Sequence, residues 1–95
     1  MNALNSIILE GDLTGDPYIP KEGVCEFEVV SIRYSPTNEK EESHFLIRTT
    51  GKIANICLTN LKELRSVRAV GRIKEEAGKH IIIAEHIEFR PRRSA

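Results

Sequence analysis

The side chains best suited to chemistry in this sequence are a few rings and cations in strand-like segments. Tyr34 follows Arg33 at the end of one such segment, and His44 and Arg48 share one side of the next. Single-stranded nucleic acid offers flat bases on a charged backbone, so a phenol, an imidazole or a guanidinium can stack on a base, and a guanidinium can also bind phosphate. Each residue has a plainer interpretation too: packing at the core edge for Tyr34, an exposed or partly buried histidine for His44, and a solvated strand face for Arg48.

Catalytic and metal-binding chemistry has no comparable pattern. His80 and His86 stand six residues apart in one predicted strand, which places them about 20 Å apart, and His44 lies far from both in sequence. The chain has no glycine-rich phosphate loop, no nucleophile elbow and no pair of carboxylates at catalytic spacing. We therefore expect a protein that is not an enzyme, with no catalytic residue, no metal site and no cofactor.

Length and composition fit one small domain. The chain has 95 residues, 40% hydrophobic and 29% charged, which is too short for two cores and too apolar for wholesale disorder. We assign residues 1–90 to the domain and residues 91–95 to a short basic tail. Basic and acidic residues balance at 14 each, but residues 1–50 hold four basic against nine acidic, and residues 51–95 hold ten against five. The second half could therefore meet a polyanion, although such segments also serve as solvated surface or self-association faces.

Signals for export or for a membrane span are not found in the sequence. No run of about 18 apolar residues occurs, and Met1–Asn5 lacks the basic region and the apolar run of a secretion signal. Cys25 and Cys57 each stand in an apolar segment without CxxC or Cys/His spacing, which favours buried free thiols over a disulfide. We expect a cytoplasmic protein without membrane contact.

Alternation and periodicity predict five strands and one helix. The predicted strands are Ser6–Leu13, Val24–Tyr34, His44–Thr50, Arg65–Lys74 and His80–Phe89. An amphipathic helix is predicted over Lys52–Leu64, from spacings of three and four among Ile53, Ile56, Cys57, Leu61 and Leu64. A helix between the third and fourth of five strands is the order of an OB-fold, an all-β, partly open Greek-key barrel. SH3-like barrels show similar strand counts.

The first two predicted strands carry finer expectations. Gly11 inside the first strand predicts a bulge or a sharp bend. In the second strand, apolar residues alternate with Glu26 and Glu28, which predicts that both glutamates lie on a wet face. The apolar parity then changes at Val30, and either a bulge there or a strand buried on both faces would explain that change.

The connections are predicted from their turn residues. Tyr18–Gly23 is interpreted as a short connection, the polar stretch Ser35–Glu42 as a mobile loop, and Glu75–Lys79 as a hairpin turn. In the fourth strand the alternation predicts that Ile73 points inward together with Val67 and Ala69.

Three segments resemble the bacterial single-stranded DNA-binding protein family, and they occur in the order of the predicted fold. Leu4–Pro17 resembles the family's first strand with its Asp-Pro turn, Gly51–Lys62 its helix entry, and Val67–Ile73 its fourth strand, with Gly71 at a strand glycine. The chain has no tryptophan, a short hairpin between its fourth and fifth strands, and no glycine-rich linker or acidic tip. It is thus similar to a short form of the family without the C-terminal tail, and to primosomal replication protein N.

The resemblance implies non-catalytic binding of single-stranded DNA with little sequence preference, in replication, repair or recombination, through groove electrostatics and limited base stacking. Tyr34 and His44 fall at or near positions where the family often has stacking aromatics. Four cations match positions that are often basic, and these are Lys52, Lys62, Arg72 and Lys74. With Arg33 and Arg48, these residues make up the predicted nucleic-acid site.

The resemblance also implies self-association and protein partners. The flat apolar edge of Ile7–Leu9 can pair with its own copy across a two-fold axis. We expect a homo-oligomer, a tetramer in preference to a dimer, associated with the nucleoid and with replication proteins. The alternative is an OB-fold structural or adaptor module, primosome-like, that acts through protein–protein contacts with weak or no nucleic-acid binding.

Overall fold

A computed structural model describes residues 3–61 and 65–90. This part of the chain forms six strands and one helix. In chain order they are β1 Ile7–Leu13, β2 Tyr18–Lys21, β3 Val24–Tyr34, β4 Lys40–Thr50, α1 Gly51–Asn60, β5 Ser66–Glu76 and β6 Lys79–Arg90. Lys62 and the tail 91–95, which the sequence analysis had singled out, lie outside the described residues.

Five of the strands close into a barrel. The sheet order is β1-β5-β6-β4-β3, and β1 returns to pair with β3, while β4 and β6 join in parallel at Ile47–Ile82 and Arg48–Ile83. The predicted all-β OB-fold with one helix between its third and fourth barrel strands is confirmed. The short strand β2, which pairs with β3 outside the barrel, replaces the plain connection expected there.

The core lies inside the barrel and is closed at one end by the helix. The largest fully buried side chains include Phe27, Leu13 and Ile47, with Val67 from β5. Apolar burial of this kind is the main source of stability in a chain of this length. On α1 the buried side chains are Ala54 and Cys57, and the helix ends at Asn60.

One expectation about the helix is wrong, and the expectation about the two cysteines is confirmed. Ile56, predicted on the apolar face of the helix, is exposed, because α1 presents only a narrow stripe to the barrel. Cys25 and Cys57 are both buried and free, as predicted. Burial raises the pKa of both thiols, that of Cys57 to about 11.

In the described residues no helix is long and apolar enough to cross a membrane.

Two glycines stand where strands approach closely. A Cβ on Gly11 would lie 2.6 Å from the Val30 carbonyl oxygen, and one on Gly71 would collide with the carbonyl oxygen of Ile83. At Gly11 the ladder with β5 runs without a register shift, so no bulge lies there, and the next residues, Asp12 and Leu13, also pair with β3. The irregularity beside Gly71 is a register shift that leaves Glu85 of β6 without an opposite residue.

Strands β3 and β4 extend beyond the barrel as a two-stranded arm, which we define as residues 31–43. Their ladder runs without a break from Val24–Thr50 to Tyr34–Lys40, so no bulge lies at Val30. The parity change predicted from the sequence has another cause: beyond Val30 strand β3 pairs with β4 alone, and both of its faces leave the core. The predicted loop is shorter than expected, because β4 already begins at Lys40.

The β5–β6 hairpin also extends past the barrel. Its turn consists of Ala77 and Gly78, both at positive φ, which is typical of a two-residue type I′ turn. Ile73 lies opposite the buried Ile82 and so projects from the inward side of the hairpin, as predicted, but because the strands run up to this turn it lies beyond the core and is exposed. The side-chain amide of Asn5 donates to the Ile73 carbonyl and accepts from its N–H, at 2.6 and 3.0 Å.

Candidate nucleic-acid interface

The outer face of β3 and β4 brings together three of the residues predicted from the sequence. Opposite residues in an antiparallel ladder project from the same side, so Tyr34, His44 and Arg48 share the face turned away from the core. We call this the β3–β4 outer face. From the end of the arm to the barrel it consists of the opposite pairs Tyr34–Lys40, Ile32–Glu42, Val30–His44, Glu28–Leu46 and Glu26–Arg48.

The arm end of this face is open and partly apolar. Tyr34 is 62% exposed and Ile32 is 44% exposed, although both are large hydrophobic side chains. Lys40, opposite Tyr34, has its Nζ 2.9 Å from Glu42, and the hydrogen bond with that carboxylate raises the pKa of Lys40. A ring that stands free of the core beside a cation is suited to stacking on a base.

The middle of the face is a histidine between two carboxylates. The Nδ1 of His44 lies 3.2 Å from Glu28, and its Nε2 lies 4.0 Å from Glu42. Thr14 donates a hydrogen bond of 2.8 Å to Glu28. That hydroxyl, and then His44, lower the pKa of Glu28, so this carboxylate is charged well below neutral pH.

The barrel end is centred on Arg48, whose guanidinium is held by two glutamates. Its Nε donates to Glu26 at 2.6 Å, and Nη1 and Nη2 donate to the two carboxylate oxygens of Glu76 at 2.8 and 3.1 Å. These contacts raise the pKa of Arg48, and they lower that of Glu76 to about 2. Glu26 is buried, so the expectation of a wet position is wrong: the arginine and the β2 segment cover it.

Tyr18 is a member of this region that sequence reasoning left undecided. It lies on β2 opposite Glu26 and is half exposed. Partial burial, followed by its interaction with Glu26, raises the pKa of the phenol. Its place on the face depends on the pairing of β2 with β3, which the sequence analysis took for a plain connection. Glu76, which reaches the face from the β5–β6 hairpin, had no signal in the sequence.

The remaining predicted cations lie around the face rather than on it. Arg33 projects from the reverse side of the arm, opposite Glu41. Arg72 and Lys74 lie on the outer side of β5, and Lys74 joins the barrel end because its Nζ is 3.5 Å from Glu76. Lys52 is exposed in the first turn of α1, two residues after the end of β4.

The β3–β4 outer face has no excess of positive charge, because three glutamates stand against two permanent cations, Lys40 and Arg48. Glu26, Glu28 and Glu42 stand among Lys40, Arg48 and His44, and every one of these six side chains takes part in an ion pair or hydrogen bond. The face can offer rings and aliphatic surface to a ligand directly, whereas three of the five N–H donors of its guanidinium are already used on carboxylates.

A second concave region lies where β1 and β3 diverge. It is a cavity of about 460 Å³ whose polar lining includes Asp12, Ser66 and Arg90. Ser66 donates to Asp12, and Arg90 is 2.7 Å from Glu10, so its charges are paired within the protein. Within residues 3–61 and 65–90 no group of three or more His, Cys, Asp or Glu side chains could hold a metal ion.

Comparison with known proteins yields a likeness in structure without one in sequence. No protein-family model matches the chain, and no curated protein matches it. Among solved structures it is similar to the small single-stranded DNA-binding protein from Streptomyces coelicolor, with a TM-score of 0.81 and 17% identity over 99% of each chain. At this level of identity the likeness shows the fold, an OB barrel with one helix.

Proposed function

We propose that this protein binds single-stranded DNA without catalysis and with little sequence preference, in replication, repair or recombination. The observation that carries the proposal is the β3–β4 outer face, where the exposed ring of Tyr34 stands in line with His44 and Arg48. OB-folds bind oligomers across these two strands. One solved structure that this chain resembles is that of a single-stranded DNA-binding protein.

The arm end supplies the stacking part of the mechanism. A base can lie on the ring of Tyr34, with Ile32 beside it as aliphatic surface and His44 as a second planar group further along the strand pair. Stacking tolerates any base because each has a flat π-surface, which accounts for little sequence preference. One exposed tyrosine predicts modest affinity, since each stacked base contributes about 1–3 kcal/mol.

Cations around the face supply the phosphate part. Lys74 and Arg72 lie on β5 beside the barrel end. Lys52 lies in the first turn of α1, two residues after the end of β4. Binding through them should weaken as salt rises, with a log–log slope of about −0.7 per phosphate neutralised.

A titration of labelled dT oligomers by fluorescence anisotropy at two salt concentrations tests the proposal. We expect binding that weakens with salt and exceeds binding to a duplex of equal length. Equal affinity for the duplex, or affinity independent of salt, would count against it. Tyr34→Ala and Arg33→Ala make a matched pair on the two sides of the arm, and only the first should weaken binding markedly.

Self-association is proposed from strand β1. Ile8 is 70% exposed, and β1 joins the β3 ladder only at Asp12 and Leu13, so the β3-facing edge of Ile7–Leu9 takes no part in that ladder. Pairing of this edge with its copy would bury Ile8. We propose a homo-oligomer, a tetramer in preference to a dimer, which light scattering after size-exclusion chromatography tests. A monomer at tens of micromolar would exclude it.

The lack of excess positive charge on the β3–β4 outer face favours a second candidate, a structural or adaptor module that acts through protein contacts. Ile32 and Tyr34 would then be covered by a protein partner, such as a replication protein. A gel shift with a labelled single strand separates the two candidates, because an adaptor gives no shift at tens of micromolar protein. Under either candidate we propose a non-enzymatic protein of the cytoplasm, associated with the nucleoid.

A further inference from the structure

The guanidinium of Arg48 uses all three of its nitrogens on carboxylates. Nε donates to Glu26, and the Nη1 and Nη2 pair donates to Glu76 in a bidentate contact. Only 23% of the arginine side chain is exposed. At the centre of the proposed binding face, three of the five N–H donors of the cation best suited to a phosphate are therefore already used by groups of the protein, and the Nη1–Nη2 edge that would grip a phosphate faces Glu76.

The two carboxylates differ in how firmly they are held. Glu26 lies opposite Arg48 in the β3–β4 ladder and its side chain is 8% exposed, so it belongs to the barrel. Glu76 is the last residue of β5, directly before the two-residue turn, and its side chain is 43% exposed. It reaches Arg48 from the tip of the β5–β6 hairpin. In the ladder of that hairpin, Glu76 is paired with Lys79. Glu76 is the partner that can leave.

Glu76 also lies 3.5 Å from the Nζ of Lys74. One carboxylate therefore forms ion pairs with two of the cations in the predicted nucleic-acid site. Its pKa, lowered to about 2 mainly by the hydrogen bond from Arg48, keeps it charged throughout the neutral range.

Carboxylate and phosphate are equivalent ligands for a guanidinium, because both accept two parallel N–H bonds. We infer that Glu76 occupies on Arg48 the place of a DNA phosphate, so that the strand binds by displacing this carboxylate and moving the hairpin tip away from the face. The inference rests on the proposed function and adds an internal competitor to it. Glu76 thereby sets the affinity for single strands without touching them.

The test compares Glu76→Gln with Glu75→Gln. Both variants remove one negative charge at adjacent positions, but Glu75 has His80 as its neighbour, at 3.6 Å, and is 70% exposed. We expect Glu76→Gln to bind a labelled dT oligomer about three- to tenfold more tightly than the unmodified chain at low salt, as judged from the strength of partly exposed ion pairs. Glu75→Gln should change the affinity by less than about twofold.

The same pair in an Arg48→Met background shows whether the effect acts through the arginine. There the gain from Glu76→Gln should fall to what release of Lys74 alone supplies, in a double-mutant cycle. Equal gains from both glutamate substitutions, or no gain from Glu76→Gln, would overturn the inference while single-strand binding stands. Absence of binding by every variant, including at low salt, would reject the proposed function and the competitor together.

Discussion

The two ends of the β3–β4 outer face belong to one ladder but differ in how far their side chains are exposed. At the barrel end, β3 has neighbours on both sides, and its outward glutamate is buried against Arg48. At the arm end, β3 has only β4 beside it, and its outward residues Ile32 and Tyr34 face solvent. The outward positions of β3 that pair with β2 are covered, whereas those of the arm, which have β4 alone beside them, are open to a ligand.

This difference has an energetic side. Residues that leave the barrel bury little apolar area and add little to stability, so they are free to serve binding. Residues that stay in the barrel stabilise the fold, and their polar groups need partners within the protein. The substitutions below compare the two ends in order of decreasing expected effect.

The largest effect is expected in the core part of β3. Phe27→Ala removes a fully buried ring from the barrel and should lower the free energy of unfolding by about 3–5 kcal/mol. Ile32→Ala, five residues along the same strand, should lower it by less than about 1 kcal/mol. Urea denaturation monitored by circular dichroism measures both. Similar losses for the two variants would show that the arm is part of the core.

The second effect concerns binding at the arm end. Tyr34→Ala should weaken single-strand binding by about 5- to 150-fold, the equivalent of one stacked base, with the salt slope little changed. Tyr34→Phe keeps the ring and should retain most of the affinity. If Tyr34→Phe loses as much as Tyr34→Ala, the phenol hydroxyl and not the ring is responsible.

The third effect is a change in titration at the barrel end. Because the pKa of Glu76 lies at about 2, below its ordinary value of 4.5, its contact with Arg48 is complete above pH 4.5 and is lost as pH falls through about 2. In Arg48→Met the midpoint should move up towards 4.5, with Lys74 as its remaining cation. Carboxyl ¹³C NMR of Glu76 measures it, and Glu75 in the same spectra is the internal control. An unchanged midpoint would mean that Arg48 does not hold this carboxylate in solution.

The smallest effect is on the salt dependence of binding. Lys74→Ala should make the log–log slope shallower by about 0.7, the value for one phosphate contact. Lys21→Ala, an exposed lysine on β2 outside the predicted site, should leave the slope unchanged. Equal changes for the two lysines would assign Lys74 a general electrostatic role instead of a contact.

Alternation predicted the barrel strands, because each buries one face and the period of two is visible in segments such as Cys25–Val29, and spacings of three and four predicted the helix. The strand count alone left an SH3-like barrel open, and the family resemblance favoured the OB-fold. Alternation also placed Tyr34, His44 and Arg48 correctly in the strands that share a face. Alternation could not predict that Glu26 is buried, because the sequence shows a glutamate whether its carboxylate is paired with an arginine or solvated. The contact between Arg48 and Glu76, 28 residues apart, depends on how the hairpin folds over the barrel, which no local pattern encodes.

The two hydrogen bonds between the Asn5 side chain and the Ile73 main chain bear on how the β5–β6 hairpin can move. Because the amide bonds to both main-chain groups of Ile73, it adds one further pair of hydrogen bonds beside β5, contributed by a residue that precedes β1. It anchors the hairpin three residues before the carboxylate that meets Arg48. In the displacement we propose, the hairpin tip would pivot beyond this anchor, and the segment that moves would be Lys74–Lys79.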